Sequence, residues 1–320
     1  MEETAKRERF ASDADRLAGT WLGALFYTPW TPEGKILADV SDIHIHSCSG
    51  RIDEIAAAKQ ATRSGMRAIV YKAIYGSSVD AARVTNEAIS EWAKDRDLRP
   101  VRVFGSLVLG DLVGGLNKEI VKQATLFGAK KVWMPVFSAA AWLESRGMKT
   151  EEARSRGIYI LKSGELIPEA KEILNILAER KMILSCGHLS SEETFVLLEY
   201  AKSIGMESVV VDHPSSPWAR SLSREEQVQV ARMGGYLNQT FSSISPGVIG
   251  APTDIYKIVE DIRATGAEHC VLSSDTGQYL NPTPVEAMRI FINNLLFCGV
   301  SQEQIDVMTR MNPSKLLNIG

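Results

Sequence analysis

The amino-acid sequence predicts a (β/α)8 barrel, in which parallel strands form a closed cylinder surrounded by helices. Short apolar and β-branched segments alternate with longer segments of helical periodicity along most of the 320 residues. This alternation is typical of parallel strands joined by right-handed crossovers, although an open doubly wound sheet produces it too. The number of repeats slightly favours the barrel, and the histidines described below favour it strongly. The eight predicted strands are Asp42–His46, Ala68–Lys72, Val101–Val108, Lys131–Pro135, Met182–Gly187, Ser208–His213, Tyr236–Thr240 and Cys270–Asp275.

The predicted helices begin and end at recognisable signals. Asp53 and Glu54 lie in the first turn of the first helix, where acidic side chains interact favourably with the helix dipole. Ser191 and Ser223 are followed by glutamates and are expected to cap two later helices, and Pro284 suits the first turn of the last one. The predicted helices are Ile52–Arg63, Val79–Lys94, Lys118–Phe127, Glu169–Arg180, Ser191–Ile204, Ser223–Met233, Thr253–Thr265 and Pro284–Cys298.

Two segments lie outside the repeating pattern. Residues 1–40 carry several aromatic side chains and are expected to form an N-terminal extension that covers one end of the barrel or a partner subunit, with residues 41–320 forming the barrel domain. Residues 137–167 form a long loop after the fourth strand, and Tyr159–Ile167 within it predicts a small hairpin. A long loop at this position is expected to shape the mouth of the active site.

The composition excludes several classes of protein. Hydrophobic residues make up 45% and charged residues 23%, which is ordinary for a globular chain and unlike a disordered or fibrous one. The formal net charge of −3 gives no electrostatic reason to bind nucleic acid or an anionic membrane. The N-terminus is charged and lacks the apolar segment of a secretory signal, and the four cysteines form no CxxC pair. We therefore expect a cytoplasmic protein. The aromatic residues near the N-terminus and the small net charge permit a homo-oligomer, and a small molecule is the expected substrate.

The five histidines are distributed in an unusual way. His269 precedes the last predicted strand, whereas the other four lie at the carboxyl ends of strands. His44 and His46 are two residues apart on a strand, so their side chains and that of Asp42 share one face. For any one of these histidines alone, a hydrogen-bonded core position is the commoner explanation. The four at strand ends are His44, His46, His188 and His213.

Two charged residues at strand ends need compensation. Asp275 ends the last strand and Lys72 ends the second, and burying either charge is costly unless it is paired. An ion pair between them would compensate both charges but would leave four inward imidazoles unexplained. A divalent cation neutralises the carboxylate and takes neutral imidazoles as ligands. Only a closed barrel brings the first, fifth, sixth and eighth strands to one cavity, so these residues predict a barrel that holds a divalent metal.

This arrangement resembles the amidohydrolase superfamily of metal-dependent hydrolases. The shared features are HxH on the first strand, a lysine, a histidine after each of the fifth and sixth strands, an aspartate after the eighth, and a C-terminal NPxxLL sequence at residues 312–317. Other stretches resemble a poorly characterised branch that is described only as a domain of unknown function. They are VFGSLVLGDLVGGLN (103–117), KVWMP (131–135), GHLS (187–190), VVVDHP (209–214) and LSSDTGQYLNP (272–282), within a resemblance that covers roughly residues 40–317.

The resemblance implies a set of metal ligands. His44 and His46 would bind a first ion together with Asp275, while His188 and His213 would bind a second, or His188 would complete a site with one ion. Lys72 would be carboxylated and bridge two ions, or its positive charge would orient Asp275 or the substrate. Zinc is the expected metal, with manganese and iron as alternatives.

One feature departs from the pattern of the superfamily. The bridging lysine of well-studied members arrives on the fourth strand, whereas the fourth strand here ends in VWMPV and carries Lys130 and Lys131 at its start. The bridging role of Lys72 is therefore an inference, because its position on the second strand does not match that of the bridging lysine in the superfamily. Burial and nearby cations would remove its proton readily and leave a neutral amine that can take up CO2.

The resemblance also implies an activity. A metal-activated water would attack a carbonyl group, or less readily a phosphoryl group, with Asp275 moving the proton to the leaving group and His213 polarising the carbonyl if it binds no metal. The expected enzyme is a metal-dependent hydrolase that cleaves an amide, cyclic amide, lactone or ester bond. A mononuclear decarboxylase or lyase acting on a small carboxylic acid is the alternative, and a non-catalytic binding module is a third.

Candidate substrate-binding residues are less well defined. Arg51 lies on the loop after the first strand and can hold a carboxylate, but it can equally be a surface arginine that starts a helix. Simple packing or a loop hydrogen bond explains each of the others equally well, and buried apolar thiols are the ordinary state of Cys48 and Cys186. The candidates are Arg51, Tyr75, Trp133 and Gln278, with Gln239 and Asn281 as further residues of this kind.

Overall fold

The computed structural model describes residues 36–47, 50–219, 221–246 and 251–320. Cys48 and most of the predicted N-terminal extension, including all of its aromatic residues, lie outside these ranges. Ten strands are present in the described part of the chain. They are β1 Ser41–His46, β2 Ala68–Lys72, β3 Arg102–Val108, β4 Ala129–Trp133, β5 Leu161–Lys162, β6 Glu165–Leu166, β7 Ile183–Ser185, β8 Val209–Asp212, β9 Tyr236–Thr240 and β10 Cys270–Ser273.

Eight of these strands form the predicted barrel. They lie side by side in the order β1-β2-β3-β4-β7-β8-β9-β10, and every neighbouring pair is parallel. The two end strands meet through backbone hydrogen bonds, since the Asp275 amide donates to the His44 carbonyl at 2.8 Å and the His46 amide donates to the Thr276 carbonyl at 2.8 Å. The (β/α)8 barrel predicted from the sequence is therefore confirmed.

The helices follow the strands as expected, with additional short ones in the long loop and at the C-terminus. In the ranges that the structure describes, none of them is both long and apolar enough to cross a bilayer. They are α1 Glu54–Arg63, α2 Val79–Lys94, α3 Lys118–Leu126, α4 Ala140–Ser145, α5 Thr150–Arg156, α6 Pro168–Glu179, α7 Ser191–Ser203, α8 Arg224–Arg232, α9 Ile255–Thr265, α10 Pro284–Phe297, α11 Gln302–Asp306 and α12 Asn312–Leu317, with a π-helical segment at Val307–Met311.

Local signals in the sequence explain most helix boundaries. The Asp53 side chain accepts a hydrogen bond from the Ala56 amide and caps α1. Ser223 forms the expected capping box with Glu226 at the start of α8. The cap of α7 is Ser190 and not Ser191, because Ser190 is the residue whose side chain pairs reciprocally with Glu193.

The long loop after β4 contains α4, α5 and the predicted hairpin. β5 and β6 pair antiparallel around Ser163 and Gly164, whose φ angles of 52° and 80° suit a tight hairpin turn. α4 contributes Trp142 to the wall of the pocket at the carboxyl end of the barrel, so this loop does shape the mouth.

Asp42, which shares β1 with the two histidines, lies at a β-bulge and binds the backbone. Asp42 pairs with Ile69 and Ile45 with Tyr71, so β1 holds one residue more than β2 across this interval. The Asp42 side chain accepts hydrogen bonds from the backbone amides of His44 at 3.0 Å and Ser274 at 3.1 Å. Asp42 therefore satisfies the bulged backbone and does not join the two histidines.

Candidate metal centre

Closure of the barrel brings His44, His46 and Asp275 together. Nε2 of His44 is 3.1 Å and Nε2 of His46 is 2.8 Å from Oδ1 of Asp275. One ligand atom from each residue lies within 4.8 Å of the other two, and all three residues are buried. These are the residues that the resemblance assigns to the first metal ion, although the last of them is separated from the other two by most of the chain.

The backbone on either side of Asp275 allows this close approach. Asp275 has a φ of 51°, which turns its side chain out of the direction of β10 and is uncommon for a residue with a Cβ atom. Two residues later Gly277 has a φ of 136°, and a Cβ atom there would lie 2.1 Å from the carbonyl oxygen of His46. Glycine at this position therefore lets the loop after β10 pack against the end of β1.

Asp212 determines which nitrogen of His44 faces the ligand cluster. Its carboxylate is 3.1 Å from Nδ1 of His44, and a carboxylate can only accept, so Nδ1 carries the hydrogen. Burial lowers the pKa of His44 to about 3, which makes the imidazole neutral and leaves a lone pair on Nε2. Nε2 is 3.1 Å from Nζ of Lys72, which can donate to that lone pair, and 3.1 Å from Oδ1 of Asp275.

The ionisation of Asp275 completes the argument for a cation. Burial raises its pKa, but the neighbouring imidazoles of His44, His46 and His213 outweigh burial and hold the pKa well below its usual range. A buried carboxylate requires a hydrogen-bond donor or a positive charge to compensate it, and a divalent cation bound beside the imidazoles would supply that charge. Divalent transition metals prefer ligand sets such as these two imidazoles and one carboxylate. The burial of all three residues is compatible with such a site.

Lys72 lies directly beside these ligands. It is buried at the end of β2, with Nζ 3.1 Å from Nε2 of His44 and 5.3 Å from the centre of the Trp133 ring. Burial lowers its pKa, which favours the neutral amine over the ammonium ion. His44 thus contacts both Lys72 and Asp275, in place of the direct ion pair considered from the sequence.

His188 and His213 line the same pocket on the opposite side. Their rings are 5.1 Å apart in an edge-to-face arrangement, and the His213 ring is 6.1 Å from that of His44. Positive φ angles occur after both strands, 39° at His213 itself and 59° at Gly187, which precedes His188 and as glycine adopts this angle without strain. Burial lowers the pKa of both histidines, so both are neutral and able to act as ligands.

Asp212 is the main residue that sequence reasoning missed. Besides Nδ1 of His44, its carboxylate accepts hydrogen bonds from Lys131 Nζ at 3.2 Å, Trp133 Nε1 at 3.0 Å and Asn238 Nδ2 at 2.7 Å, and from the Ser185 hydroxyl. Asp212 was missed because it ends an apolar strand and directly precedes His213, which was selected as the functional residue of this segment. The inward-facing Lys131 on β4 was the available signal, because a buried lysine requires an acidic partner.

Lys131 itself is placed differently from the expectation. It is the third residue of β4 and is completely buried inside the barrel, where its Nζ contacts Asp212 below the ligand cluster. A serine on the other side of the cluster was also missed, since the Ser242 hydroxyl donates to Oδ2 of Asp275 at 2.5 Å. No sequence signal marks Ser242, because it belongs to a short turn after β9.

The ligand cluster opens into a pocket of about 290 Å³ at the carboxyl end of the barrel. Its walls include Phe137 and Trp142 of the long loop, and the Trp142 ring is 4.7 Å from that of His188. Gln278 lines the pocket and accepts a hydrogen bond from Asn281, another wall residue, at 3.0 Å.

The other candidate substrate residues have different positions. Tyr75 is 75% exposed beside a neighbouring chamber, and Arg51 is exposed on the loop after β1. Trp133 is buried beneath the cluster, with its ring 5.3 Å from that of His44. Gln239 is buried in a hydrogen-bond network with Ser215 and Gln227 and does not line the pocket.

Comparison with known proteins agrees with this architecture. Solved structures with the same fold include an amidohydrolase from Pseudomonas aeruginosa, with a TM-score of 0.60 and 12% identity over 90% of this chain and 98% of that chain. The probable dipeptidase PvdM from Pseudomonas aeruginosa has a TM-score of 0.58 and 13% identity over 89% and 96% of the two chains. The structure of 2,6-dihydroxybenzoate decarboxylase from Rhizobium has a TM-score of 0.51 and 10% identity over 88% of this chain and 99% of that chain.

At such low identities these structures show the fold alone, and the resemblance to amidohydrolases is confirmed at that level. A search of curated proteins gave no significant match. A family model described as a family of unknown function, DUF6282, matches residues 39–238. The prediction of a poorly characterised branch is therefore confirmed as well, and the chain belongs to the DUF6282 family.

Proposed function

We propose that this protein is a metal-dependent hydrolase that cleaves an amide, cyclic amide, lactone or ester bond in a small molecule. The observation that carries the proposal is the convergence of His44 Nε2, His46 Nε2 and Asp275 Oδ1 at the floor of a pocket. The names of two structures with the same fold, an amidohydrolase and a probable dipeptidase, support a hydrolytic reaction.

The residues that would hold the metal follow from the donor set. His44, His46 and Asp275 would hold one ion, and zinc is the first choice because imidazole and carboxylate ligands suit it. His188 and His213, together with a carboxylated Lys72, would hold a second. A divalent cation supplies Lewis acidity, which polarises a carbonyl group and lowers the pKa of water from 15.7 to about 7.

Side chains of the protein would carry out proton transfer and position the reacting groups. Asp275 is ionised at neutral pH because its imidazole neighbours hold its pKa low, so it can accept a proton from the attacking water and pass it to the leaving group. Ser242 holds Oδ2 of Asp275 and leaves Oδ1 directed at the cluster. Asp212 keeps His44 in the tautomer that presents Nε2, and His213 would polarise the substrate carbonyl where it is not a ligand.

A decarboxylase is the second candidate function. Three ligand atoms converge tightly, while His188 and His213 stand to one side and Lys72 contacts His44. Such an arrangement suits a single ion, and one structure with the same fold is a decarboxylase of an aromatic acid.

Metal analysis combined with a small substrate panel tests the proposal. Purified protein is stripped with a chelator, reloaded with zinc, manganese or iron, and assayed on an aryl ester, a lactone, a cyclic imide, an N-acyl amino acid and a hydroxybenzoate. We expect turnover of at least one of the first four compounds, dependent on metal and abolished by Asp275→Asn. Release of CO2 from the hydroxybenzoate without any hydrolysis would favour the second candidate, and failure to bind any metal would overturn both.

A further inference from the structure

A second chamber lies beside the pocket of the metal centre, between the loops that follow β2, β3 and β4. It has a volume of about 290 Å³, and we call it the side chamber. Its outer wall comes from the loops after β2 and β3 and includes Tyr75, Leu112 and Val113. Its inner wall is formed by Ile74, Val136 and Phe137.

The two cavities are neighbours that share one wall. Ile74, Val136 and Phe137 line both the side chamber and the pocket that contains His46, Lys72 and Asp275. The side chamber therefore lies one layer of side chains away from the site of the proposed reaction, within reach of a substituent on a substrate bound there.

The walls of the side chamber are mostly hydrocarbon, and its rim is unusually exposed for such residues. Tyr75 is 75%, Leu112 is 68% and Phe137 is 41% exposed. Several large apolar side chains exposed around one cavity are typical of a ligand-binding surface. Covering them with an apolar group would remove this surface from water and stabilise the complex.

The charge of the side chamber selects against an anionic group. No basic side chain lines the chamber among the residues that the structure describes, and Lys72, on the wall of the neighbouring pocket, already contacts His44 through its Nζ. Asp111 contributes a carboxylate to the side chamber, and Arg51 lines neither cavity in the described part of the chain. A carboxylate placed in the side chamber would therefore lose hydration beside another acid.

We propose that the side chamber binds an uncharged alkyl or aryl arm of the substrate, attached to the carbonyl group that reacts at the metal centre. This inference rests on the proposed function, and it narrows the substrate to a carbonyl compound with a hydrophobic acyl group. Substrates that carry a second carboxylate on that arm are excluded.

Hydroxamic acids test this inference, because each joins a metal-chelating group to a variable arm. Binding of acetohydroxamate, hexanohydroxamate and the monohydroxamate of succinic acid to zinc-loaded protein is measured by isothermal titration calorimetry. We expect affinity to rise by up to about fourfold for each methylene group that enters the side chamber. The succinic acid derivative is expected to gain nothing over acetohydroxamate.

Two exposed leucines provide a matched pair of variants. Leu112 lines the side chamber, whereas Leu126, at 64% exposure, lies on α3 and lines neither cavity. Leu112→Asp should bring the ratio of hexanohydroxamate to acetohydroxamate affinity close to one, and Leu126→Asp should leave the wild-type ratio. Both side chains already contact solvent, so neither change should prevent folding.

The outcomes separate the two proposals. If wild-type protein binds acetohydroxamate but binds hexanohydroxamate no more tightly, the side chamber is not a substrate subsite and the metal centre is unaffected. The same conclusion follows if the ratio of hexanohydroxamate to acetohydroxamate affinity is equal in Leu112→Asp and Leu126→Asp. Absence of acetohydroxamate binding to zinc-loaded wild-type protein would overturn the proposed function, and the subsite with it.

Discussion

The carboxylate of Asp212 lies 3.1 Å from Nδ1 of His44, and this contact selects the tautomer of the histidine. Asp212 is held in turn by Lys131 and Trp133 of β4, Ser185 of β7 and Asn238 of β9. A buried carboxylate with this many donors cannot rotate without breaking several hydrogen bonds. The barrel interior therefore fixes the direction of Nε2 before any metal binds.

We expect Asp212→Asn to weaken metal binding by about tenfold to a hundredfold, the usual effect of losing the carboxylate partner of a histidine ligand. The amide can no longer enforce hydrogen on Nδ1, so the tautomer that presents Nε2 loses its advantage. Competition with a chromophoric chelator measures the affinity. Asp261→Asn, which alters another buried aspartate outside this network, should bind metal as the wild type does. Equal affinities of the two variants would remove Asp212 from the metal centre.

Gly277→Ala should damage the metal centre through the backbone. The added Cβ atom would lie 2.1 Å from the carbonyl oxygen of His46, so the loop after β10 must move away from β1 and take Asp275 with it. Gly234 is the matched control, because it also has a positive φ, of 90°, but a Cβ atom there meets nothing within 4 Å.

In both glycine variants the new alanine must adopt a positive φ angle. This strain lowers the free energy of unfolding by roughly 1–2 kcal/mol. Metal content after reconstitution should fall in Gly277→Ala alone. A fall of the same size in Gly234→Ala would mean that general destabilisation, and not the contact with His46, is responsible.

The histidines provide a direct test of the strand-end assignment. We expect His46→Ala, His188→Ala and Asp275→Asn each to reduce kcat/KM to background, since these side chains line the pocket of the metal centre. His269→Ala should retain most activity, because His269 precedes β10 and lies at the opposite end of the barrel. Steady-state rates on the substrate found in the panel measure the effect. A comparable loss in His269→Ala would contradict the assignment.

Much of the fold was predictable because its signals are local. The alternation of strands and helices, the cap at Ser223 and the turn at Ser163 and Gly164 depend on residues close together in sequence. The grouping of His44 and His46 was predictable for a related reason, since strand periodicity places both on one face.

The remainder depends on contacts that no local pattern encodes. The β-bulge between Asp42 and Ile45 arises from the pairing of β1 with β2. The partnership of Lys131 with Asp212 joins β4 to β8 across the interior, and 81 residues separate the two in sequence. The position of Trp133 under the cluster depends on the same pairing of distant strands.

The buried network around Asp261 predicts a pH dependence of stability. Burial raises the pKa of this carboxyl, but hydrogen bonds from Lys257, Ser215 and Arg224 outweigh burial and lower the pKa below its ordinary value. A lowered pKa contributes stability above the unfolded value of about 3.9, and the contribution is lost as pH falls through the folded value.

Asp261→Asn should therefore reduce the free energy of unfolding by about 1–3 kcal/mol at pH 7, because it removes the buried carboxylate that accepts hydrogen bonds from buried Ser215 and from the partly exposed Lys257 and Arg224. The difference from wild type should shrink as the pH is lowered below about 4. Urea denaturation at pH 7 and at a pH below about 4 measures the difference in the free energy of unfolding between the two proteins. If this difference is the same at both pH values, the ionisation of Asp261 does not have the assigned role.

Lys72 is expected to carry the carboxylate that would bridge two metal ions, and Lys131 is its competitor. Both lysines are buried, and burial lowers both pKa values, which favours the neutral amine that can add CO2 and release a proton. Their surroundings differ, because Lys72 Nζ is 3.1 Å from the ligand His44, whereas Lys131 Nζ is held by Asp212 at 3.2 Å. Only Lys72 therefore has a nitrogen free of a carboxylate and next to the ligand cluster.

Reconstitution with zinc and ¹³C-bicarbonate distinguishes the two lysines. We expect a carbamate carbon signal in the NMR spectrum of wild-type protein and a higher ratio of zinc to protein than in reconstitution without bicarbonate. Lys72→Met should abolish the signal and lower the ratio, while Lys131→Met, examined as protein that still unfolds cooperatively, should keep the signal. If the signal survives in Lys72→Met and disappears in Lys131→Met, the bridging group belongs to β4, as in the well-studied amidohydrolases. If wild-type protein shows no carbamate signal and binds a single zinc ion, the result favours the decarboxylase, because a lone ion held by His44, His46 and Asp275 needs no bridging group.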